Sequence, residues 1–358
     1  MKIAHVIGAR PQFIKAATIS RELKNYPHIS EVLIHTGQHY DTNMSDIFFK
    51  QLHIPEPHYN LEVGSASHGK QTGLMLERIE KVLIDEQPDW LITYGDTNST
   101  VAGSLAAAKL HIPSAHVEAG LRSYNRKMPE EINRIATDHI SDLLFAPTQN
   151  AMKILDKEGL GTIARFSGDV MYDSILFYSA LVNEAHRPPI LRKISKYYLA
   201  TIHRPENTDN PQRLQNIFNV FSELDLPVIL PLHPRTQKLV NSIKYSDNLH
   251  ILDPVGYLEI IYLLKHSTKV LTDSGGLQKE AYFMKKPCIT LRDQTEWIET
   301  LDGNWNFIVA ANKQKIMEKI GVTEFGPLHN AFGDGHAGRR IIQDILNYPA
   351  TNRGESES

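Results

Sequence analysis

The sequence predicts an α/β protein with two doubly wound domains of similar size. Short β-branched runs alternate with longer helical patterns, which is typical of parallel sheets covered by helices. The alternation restarts after a basic, proline-interrupted stretch at residues 186–193. The length agrees, because 358 residues at about 150 residues a domain correspond to roughly two domains. We expect domains at 1–170 and 171–336, a C-terminal helix at about 337–348 that packs back on the first domain, and a flexible tail at 349–358.

Strands and helices alternate regularly along both halves. In the first half, short apolar runs bounded by turn residues predict strands at 2–7, 31–35, 90–94, 114–117, 143–146 and 164–166. Apolar residues at helical spacing predict helices at 12–24, 44–52, 71–85, 99–110, 130–141 and 150–158. In the second half the same signals predict strands at 197–201, 228–231, 250–252, 269–272 and 288–291, and helices at 211–223, 257–265 and 277–284.

The composition excludes several classes of protein. A formal net charge of −3 gives no global basic field that would recruit nucleic acid or an anionic membrane. The single cysteine, Cys288, excludes an internal disulfide framework and a multi-cysteine zinc site, and it fits a reducing compartment. The apolar run that opens the chain breaks at Gly8, and no apolar stretch approaches the ~20 residues that span a bilayer. We therefore expect a cytoplasmic enzyme.

Acidic residues follow the strands of the first half, at the edge where open α/β sheets bind ligands. They are Asp96, Glu118 and Glu130 or Glu131, with Arg122 and Arg134 nearby. Crowded carboxylates in a shared cleft are what proton transfer needs, because crowding and partial burial raise some of their pKa values. A purely structural network of ion pairs is the alternative interpretation.

Anion-binding groups occur in both halves. Arg10 and Lys15 lie at the first helix start, where free N–H groups also favour negative charge. In the second half His203 and His233 follow strands, and Ser274-Gly275-Gly276 joins a strand to a helix in a form that suits a pyrophosphate. There is no G-x-G-x-x-G after the first strand, so a nicotinamide dehydrogenase is not supported.

Taken together, these segments resemble the non-hydrolysing UDP-N-acetylglucosamine 2-epimerase family, which has two Rossmann-like domains and an interdomain cleft in a GT-B-like fold. The resemblance covers roughly residues 2–346. It rests on motifs in one order at compatible spacing, namely Gly8-Ala9-Arg10-Pro11, Gly95-Asp96-Thr97, His116-Val117-Glu118-Ala119-Gly120-Leu121-Arg122, Pro129-Glu130-Glu131-Ile132-Asn133-Arg134, His203-Arg204 and Asp273-Ser274-Gly275-Gly276.

The resemblance implies roles for individual residues. The catalytic candidates are Asp96, Glu118, Glu130 and His203. The candidates for binding the UDP-sugar are Arg10, Lys15, Arg134, His233, Ser274, Gly275, Gly276, Glu280 and Arg292. Among these, the serine and the two glycines are expected to hold the diphosphate, together with Arg10 and His203. Glu280 is expected to bind the ribose, and Arg292 to lie beside the nucleotide. The uracil is expected against residues 255–260.

The implied reaction is inversion at C2 of a UDP-2-acetamido sugar, by elimination and re-addition of UDP through a glycal. It uses no metal and no nicotinamide, and it supplies precursors of surface polysaccharides. The resemblance also implies a homodimer. Two other functions stay open: a GT-B glycosyltransferase that shares the fold and the UDP site, and a catalytically silent UDP-sugar sensor.

Departures from the family pattern bear on the substrate. The family's Thr-Glu-Arg-Pro-Glu segment is Thr295-Glu296-Trp297-Ile298-Glu299 here, and the loop at 37–41 differs from the form linked to an activating second UDP-sugar, so that allostery is not expected. These differences resemble the subgroup that acts on UDP-2,3-diacetamido glucuronic acid. A carboxylate at C6 requires a further cation, for which the candidates are Arg122, Arg126 and Lys127.

Overall fold

The computed structural model describes residues 1–37, 55–232, 234–240 and 243–349. The chain forms two compact units. The first contains Met1–Ser174 and the chain from Asn330 onward, and the second contains Ile175–His329. The helix expected at 44–52 and the tail from residue 350 onward lie outside the described residues.

The first unit is built on a parallel sheet. Its strands are β1 (Lys2–Ile7), β2 (Ser30–His35), β3 (Tyr59–Asn60), β4 (Trp90–Tyr94), β5 (Ser114–Val117), β6 (Leu143–Ala146) and β7 (Ala164–Phe166). The described strands lie in the order β3-β2-β1-β4-β5-β6-β7, and neighbouring strands pair in parallel. The helices are α1 (Arg10–Leu23), α2 (His68–Glu86), α3 (Asn98–Lys109), α4 (Pro129–Ile140), α5 (Gln149–Lys157) and α6 (Val170–Leu181), which ends in the second unit.

The second unit repeats this architecture. Its strands are β8 (Tyr198–Thr201), β9 (Val228–Pro231), β10 (Leu249–Leu252), β11 (Lys269–Thr272), β12 (Cys288–Thr290) and β13 (Asn306–Ile308), in the order β10-β9-β8-β11-β12-β13 with parallel pairing. The helices are α7 (Pro205–Thr208), α8 (Pro211–Glu223), α9 (Pro234–Val240), α10 (Tyr257–His266), α11 (Gly275–Phe283) and α12 (Lys313–Ile320). Short 3-10 turns lie at Glu184–His186, Pro189–Arg192 and Ile298–Asn304.

The last helix, α13 (Ala337–Leu346), belongs to the first unit. It buries Ile341, Ile342 and Ile345, and its Gly338 lies against α1, where an added Cβ would stand 2.9 Å from Thr18 Cγ2. The opposite face of the first sheet is covered by α2 and α3, whose apolar side chains pack with those of β1, β2 and β4 in one core cluster.

Both sheets reverse their strand order at one point, between β1 and β4 in the first unit and between β8 and β11 in the second. At such a point the two neighbouring connections leave to opposite faces of the sheet, which opens a crevice at the carboxyl ends of the strands. Ligand-binding residues are therefore expected just after β1 and β4, and just after β8 and β11. No helix in the described ranges is long and apolar enough to cross a membrane.

Candidate functional site

The reversal point of the first sheet is fixed by Gln12. Its Oε1 accepts hydrogen bonds from Gly8 N at 2.8 Å and Ala9 N at 2.9 Å, and its Nε2 donates to Tyr94 O at 2.8 Å and Thr100 Oγ1 at 3.0 Å. This buried amide thus ties the turn after β1 to the turn after β4. Sequence reasoning misses Gln12, because nothing in the local sequence shows that it reaches the next strand end.

Lys15 and Glu118 form an ion pair at this edge of the sheet. The distance from Lys15 Nζ to Glu118 Oε2 is 2.9 Å, and both side chains are largely buried. Glu118 follows β5 directly and has a φ of +77°, in the left-handed region that is strained for a residue with a side chain. The surrounding contacts hold that strained backbone, and they aim the Glu118 carboxylate at the lysine.

Asp96, at the carboxyl end of β4, pairs with Arg134 of α4. The distance from Arg134 Nη2 to Asp96 Oδ2 is 2.5 Å, and Asn133 Nδ2 donates to the Asp96 carbonyl at 3.0 Å. Burial raises the pKa of Asp96, the charges of Glu118 and Glu130 add to this rise, and Arg134 and Lys15 oppose it. The Asp96 side chain keeps 29% of its surface exposed, so the carboxyl group with a raised pKa is open to a ligand.

The structure separates the two adjacent glutamates of α4. Glu131 is buried and accepts hydrogen bonds from Ser123 N at 2.8 Å, Ser123 Oγ at 2.9 Å and Tyr124 N at 2.8 Å. Burial opposes the ionisation of Glu131, but these bonds and Arg134 hold its pKa below the usual value. Glu131 therefore anchors the loop before α4. Glu130 is half-buried and acts on Asp96 through its charge, which keeps it as the acid–base candidate of the two.

A buried charged cluster lies beside these carboxylates. His116 of β5 contacts Asp138 of α4, with 2.7 Å between His116 Nδ1 and Asp138 Oδ1. Arg122 Nη1 lies 2.7 Å from Asp138 Oδ2, and Arg122 also binds Glu158 through two hydrogen bonds of 2.8 and 2.6 Å. The expectation that Arg122 is free to receive a substrate carboxylate is wrong, because its guanidinium is buried and already bound to two carboxylates.

Asp273 organises the corresponding edge of the second sheet. It is buried, and it accepts hydrogen bonds from His203 N at 3.1 Å, Arg204 N at 3.1 Å and Asn207 Nδ2 at 2.9 Å. Burial opposes its ionisation, but His203, Asn207 and Arg204 together hold the pKa of Asp273 below its usual value. His203 Nδ1 lies 3.1 Å from Asp273 Oδ1, and half of the His203 side chain is exposed. The carboxylate thus orients a histidine that a ligand can reach.

The helix α11 begins at Gly275, directly after β11. Ser274 is its N-cap, with Ser274 Oγ accepting from Leu277 N at 3.3 Å. A Cβ added to Gly275 would lie 3.2 Å from Glu296 Oε1, so the Glu296 side chain would have to shift by a few tenths of an ångström to admit it. Free backbone N–H groups and the helix dipole make such a start a site for phosphate.

Glu280 and Arg292 lie near this helix start. Glu280 is one turn into α11, is largely buried, and accepts a hydrogen bond from Tyr257 Oη at 3.0 Å. Arg292 follows β12 and pairs with Glu296, with 2.9 Å between Arg292 Nη1 and Glu296 Oε2. The second unit therefore brings Ser274, Gly275, Glu280, Arg292 and His203 to the carboxyl ends of β8, β11 and β12, as the strand-end rule predicts.

Two predicted ligand-binding groups cannot be placed. Arg10 begins α1, but its side chain lies outside the described residues, as does all of His233. Their roles stay predictions. Among the described residues no group of three or more His, Cys, Asp or Glu side chains is arranged to hold a metal ion.

Comparison with known proteins gives a consistent result along the whole chain. A family model described as UDP-N-acetylglucosamine 2-epimerase matches residues 21–346. A Methanococcus maripaludis protein named UDP-N-acetylglucosamine 2-epimerase homolog is 52% identical over 361 residues, covering 97% of this chain and 100% of that protein. The Pseudomonas aeruginosa UDP-2,3-diacetamido-2,3-dideoxy-D-glucuronate 2-epimerase is 49% identical over 355 residues, covering 96% of this chain and 99% of that enzyme.

Solved structures agree. The crystal structure of the Methanocaldococcus jannaschii UDP-GlcNAc 2-epimerase in complex with UDP-GlcNAc and UDP is 44% identical to this chain. Its TM-score is 0.90, with 98% of this chain and 100% of that chain covered. The likeness confirms the predicted α/β fold of GT-B-like type with two doubly wound sheets.

Proposed function

The chain belongs to the UDP-N-acetylglucosamine 2-epimerase family, and from this membership we propose that it inverts C2 of a UDP-2-acetamido sugar. The reaction converts UDP-N-acetylglucosamine to UDP-N-acetylmannosamine by elimination and re-addition of UDP. One observation carries the proposal. A carboxylate cluster lies at the carboxyl ends of the strands where the first sheet reverses its strand order, and a helix start suited to phosphate lies at the same topological position in the second sheet.

The second unit binds the UDP moiety in this proposal. Ser274 and the N–H groups of Gly275 and Gly276 receive the diphosphate at the start of α11. His203, oriented by Asp273, donates to the phosphate oxygen that leaves C1, helped by Arg10. Glu280 accepts from the ribose hydroxyls, and Arg292 lies beside the nucleotide. These groups stabilise the negative charge that develops on UDP as the anomeric bond breaks.

The first unit moves the proton at C2. The C2 hydrogen is not acidic in the ground state, so cleavage of the C1–O bond leads and positive charge develops at C1. A carboxylate then removes the C2 proton to give the glycal, and UDP adds back as a proton arrives from the opposite face. Asp96, Glu118 and Glu130 supply the acid and base groups, while Lys15 and Arg134 position the carboxylates and the sugar.

The same resemblance supports a cytoplasmic homodimer whose product enters surface polysaccharide synthesis. These parts of the proposal depend on the family alone. Neither nucleic acid nor a membrane is a proposed partner, since the net charge is −3.

The test is to incubate the purified chain with UDP-N-acetylglucosamine, without any acceptor, and follow the sugar protons by NMR. Formation of the manno epimer, or of glycal with UDP, supports the epimerase. A substrate that stays unchanged until an acceptor alcohol is added supports a glycosyltransferase instead. Binding without any turnover under either condition supports a UDP-sugar sensor.

A second substrate is favoured by one specific observation. The relative that acts on UDP-2,3-diacetamido-2,3-dideoxy-D-glucuronate shares 49% of its residues with this chain, and the loop before α4 exposes Arg126 and Lys127. Glu131 anchors the first part of this loop at Ser123 and Tyr124 and lies beside Arg134. We propose that Arg126 or Lys127 receives the C6 carboxylate if the uronate is the substrate, since Arg122 is already paired.

The experiment compares kcat/KM for the two UDP-sugars in the wild-type chain and in the Arg126→Gln and Lys127→Gln variants. A uronate-specific enzyme loses kcat/KM for the uronate in one of these variants, while the value for UDP-N-acetylglucosamine serves as the internal control. Equal losses for both sugars contradict recognition of the carboxylate by these cations.

A further inference from the structure

His116 lies in the first unit, two residues before Glu118, and both of its ring nitrogens face hydrogen-bond acceptors. The distance from His116 Nδ1 to Asp138 Oδ1 is 2.7 Å, and that from His116 Nε2 to Gly95 O is also 2.7 Å. The side chains of His116 and Asp138 are fully buried. A backbone carbonyl never donates, so His116 must donate from Nε2 to make its contact with Gly95.

Asp138 is the acceptor in its own contact with the histidine. Its other oxygen, Oδ2, lies 2.7 Å from Arg122 Nη1 and accepts from Gly120 N at 3.1 Å. Arg122 is always charged, and both its guanidinium and the Gly120 N–H at Oδ2 favour the ionised form of Asp138. With this carboxylate ionised, His116 Nδ1 also donates.

The charges of the cluster agree with a cationic histidine. Arg122 is a buried cation that contacts both Asp138 and Glu158. With His116 charged, two cations balance two carboxylates. With His116 neutral, one of its two buried hydrogen bonds is lost and the cluster keeps an uncompensated negative charge, both of which are costly away from water.

One end of the cluster holds the turn after β4. Gly95 has a φ of +64°, its carbonyl accepts from His116, and its N–H donates to Val117 O at 3.0 Å. A Cβ added to Gly95 would lie 3.0 Å from Lys15 Nζ. The peptide that precedes the catalytic candidate Asp96 is thus held between the His116 ring and the Lys15 ammonium group.

The other end holds the turn after β5. Asp138 accepts from Gly120 N, two residues after Glu118, and Glu118 N and Ala119 N both donate to Phe145 O at 3.1 and 3.0 Å. These contacts maintain Glu118 at its positive φ. Since Lys15 pairs with Glu118 and lies against Gly95, the contacts form a closed ring through both turns.

From this geometry we propose that His116 is held as a doubly protonated imidazolium and is a positioning residue. With Asp138 it fixes the Gly95–Asp96 turn and the Glu118 turn relative to each other. Its effect on turnover rests on the proposed epimerase function, whereas its protonation state does not.

Neutron diffraction from crystals of the wild-type chain grown in heavy water at neutral pH tests the protonation state directly. We expect deuterium on both Nδ1 and Nε2 of His116 and none on the Asp138 carboxylate. A single deuteron on the imidazole ring, or one on Asp138, overturns the proposal. This measurement requires neither a variant nor any substrate.

A pair of matched variants tests the positioning role. Asp138→Asn replaces the carboxylate by an amide that cannot accept from His116, Arg122 and Gly120 together. Asp142→Asn is the control. Asp142 accepts a hydrogen bond from Ser114 N at 2.8 Å, at the start of β5, whereas Asp138 contacts His116 near the end of that strand. We expect kcat to fall roughly 100-fold in Asp138→Asn, as for a misplacement of about 1 Å, with UDP affinity within about threefold of wild type, as ground-state binding is untouched.

The control should change kcat by no more than about threefold, as expected of a half-buried contact at the start of β5, away from the proposed site. Equal kcat values for the two folded variants overturn the positioning role. If the Asp138→Asn chain does not fold, the neutron result decides the protonation state, and His116→Gln replaces Asp138→Asn in the comparison of kcat with the control. A wild-type chain without epimerase activity contradicts the proposed function. A His116 ring that carries one deuteron contradicts the imidazolium instead, so the two failures can be distinguished.

Discussion

The two units share one topology and differ in the groups at the carboxyl ends of their strands. In the first unit, two ion pairs lie at the carboxyl ends of the strands near the reversal point: Lys15 with Glu118, and Arg134 with Asp96. In the second, the same point ends in the start of α11, where Ser274 caps a helix that opens with two glycines. The first edge offers a cluster of carboxylates, and the second adds the fixed backbone dipoles of a helix start to the side chains of His203 and Arg292.

Under the proposed function, this difference divides the reaction between the two units. Carboxylates exchange protons, and their pKa values respond to burial and neighbouring charge, as the raised pKa of Asp96 shows. Backbone N–H groups cannot titrate, but they stabilise an anion without reorganisation. We therefore assign proton transfer to the first unit and leaving-group stabilisation to the second, and variants that affect one edge alone test this division.

The largest effect is expected from Glu118→Gln. Removing a general acid–base group at C2 should lower the rate of deuterium incorporation from heavy water by about 10²–10⁴-fold. UDP affinity, measured by calorimetry, should stay within about threefold, because ground-state binding is untouched. The control is Glu86→Gln, because Glu86 also forms an ion pair with a lysine: its Oε2 lies 2.9 Å from Lys2 Nζ. Normal exchange in the Glu118→Gln chain would remove this residue from the mechanism.

Ser274→Ala tests the second edge. Loss of a hydrogen bond to a charged diphosphate should cost ~1–3 kcal/mol of UDP binding, which is about 5–150-fold in Kd. The substitution also removes a helix cap, so Thr148→Ala is the control, because Thr148 caps α5 in the first unit by accepting from Ala151 N. Unchanged UDP affinity in Ser274→Ala would misplace the diphosphate.

Arg134→Met should change the pH dependence more than the affinity for UDP. Arg134 lowers the pKa of Asp96 against the effect of burial, so its removal raises that pKa further. The limb of the kcat–pH profile that belongs to Asp96 therefore moves to higher pH, whether Asp96 acts as base or acid. Arg134→Lys keeps the positive charge and should move it less. A profile that does not move in Arg134→Met would separate Asp96 from the rate-limiting protonation.

Cys288→Ser should have the smallest effect. Cys288 is buried in β12, and burial raises the pKa of its thiol to about 12, so it is neither a nucleophile nor an acid at neutral pH. Turnover and UDP affinity should both stay within about twofold of wild type, as expected for a buried residue outside the proposed site. Loss of activity in a Cys288→Ser chain with an unchanged circular dichroism spectrum would give this thiol a role.

Much of the fold follows from local sequence. Strands such as Trp90–Tyr94 are short apolar runs between turn residues, and they lie where the pattern predicts. The strands at Tyr59–Asn60 and Asn306–Ile308 escape prediction, because the first has only two residues and both contain an asparagine, a residue depleted in strands. The helix at Val170–Leu181 also escapes it, since this segment is rich in apolar and aromatic residues without a clear polar face.

Some residues of the candidate site can likewise be predicted from the local sequence, and others cannot. Asp96, Glu118 and Ser274 can be found because each lies within two residues of the end of a strand, and parallel strands end at one edge. The roles of Gln12, Asp138 and Asp273 cannot be read locally, because they depend on contacts across the fold. Asp138, for example, reaches a histidine 22 residues earlier in the chain. The family resemblance already favours Glu130 over Glu131, but the physical reason lies in the hydrogen bonds of the loop that Glu131 anchors.

The central claim is that UDP leaves C1 and returns during the inversion of C2, and oxygen isotope exchange tests it most directly. The substrate is UDP-N-acetylglucosamine with oxygen-18 in the bridge between C1 and the β-phosphorus, incubated with the wild-type chain in heavy water. We predict that the label moves into the non-bridging β-phosphate positions while deuterium enters C2, because UDP leaves and returns during epimerisation. Deuterium at C2 with the label still wholly in the bridge would contradict the account.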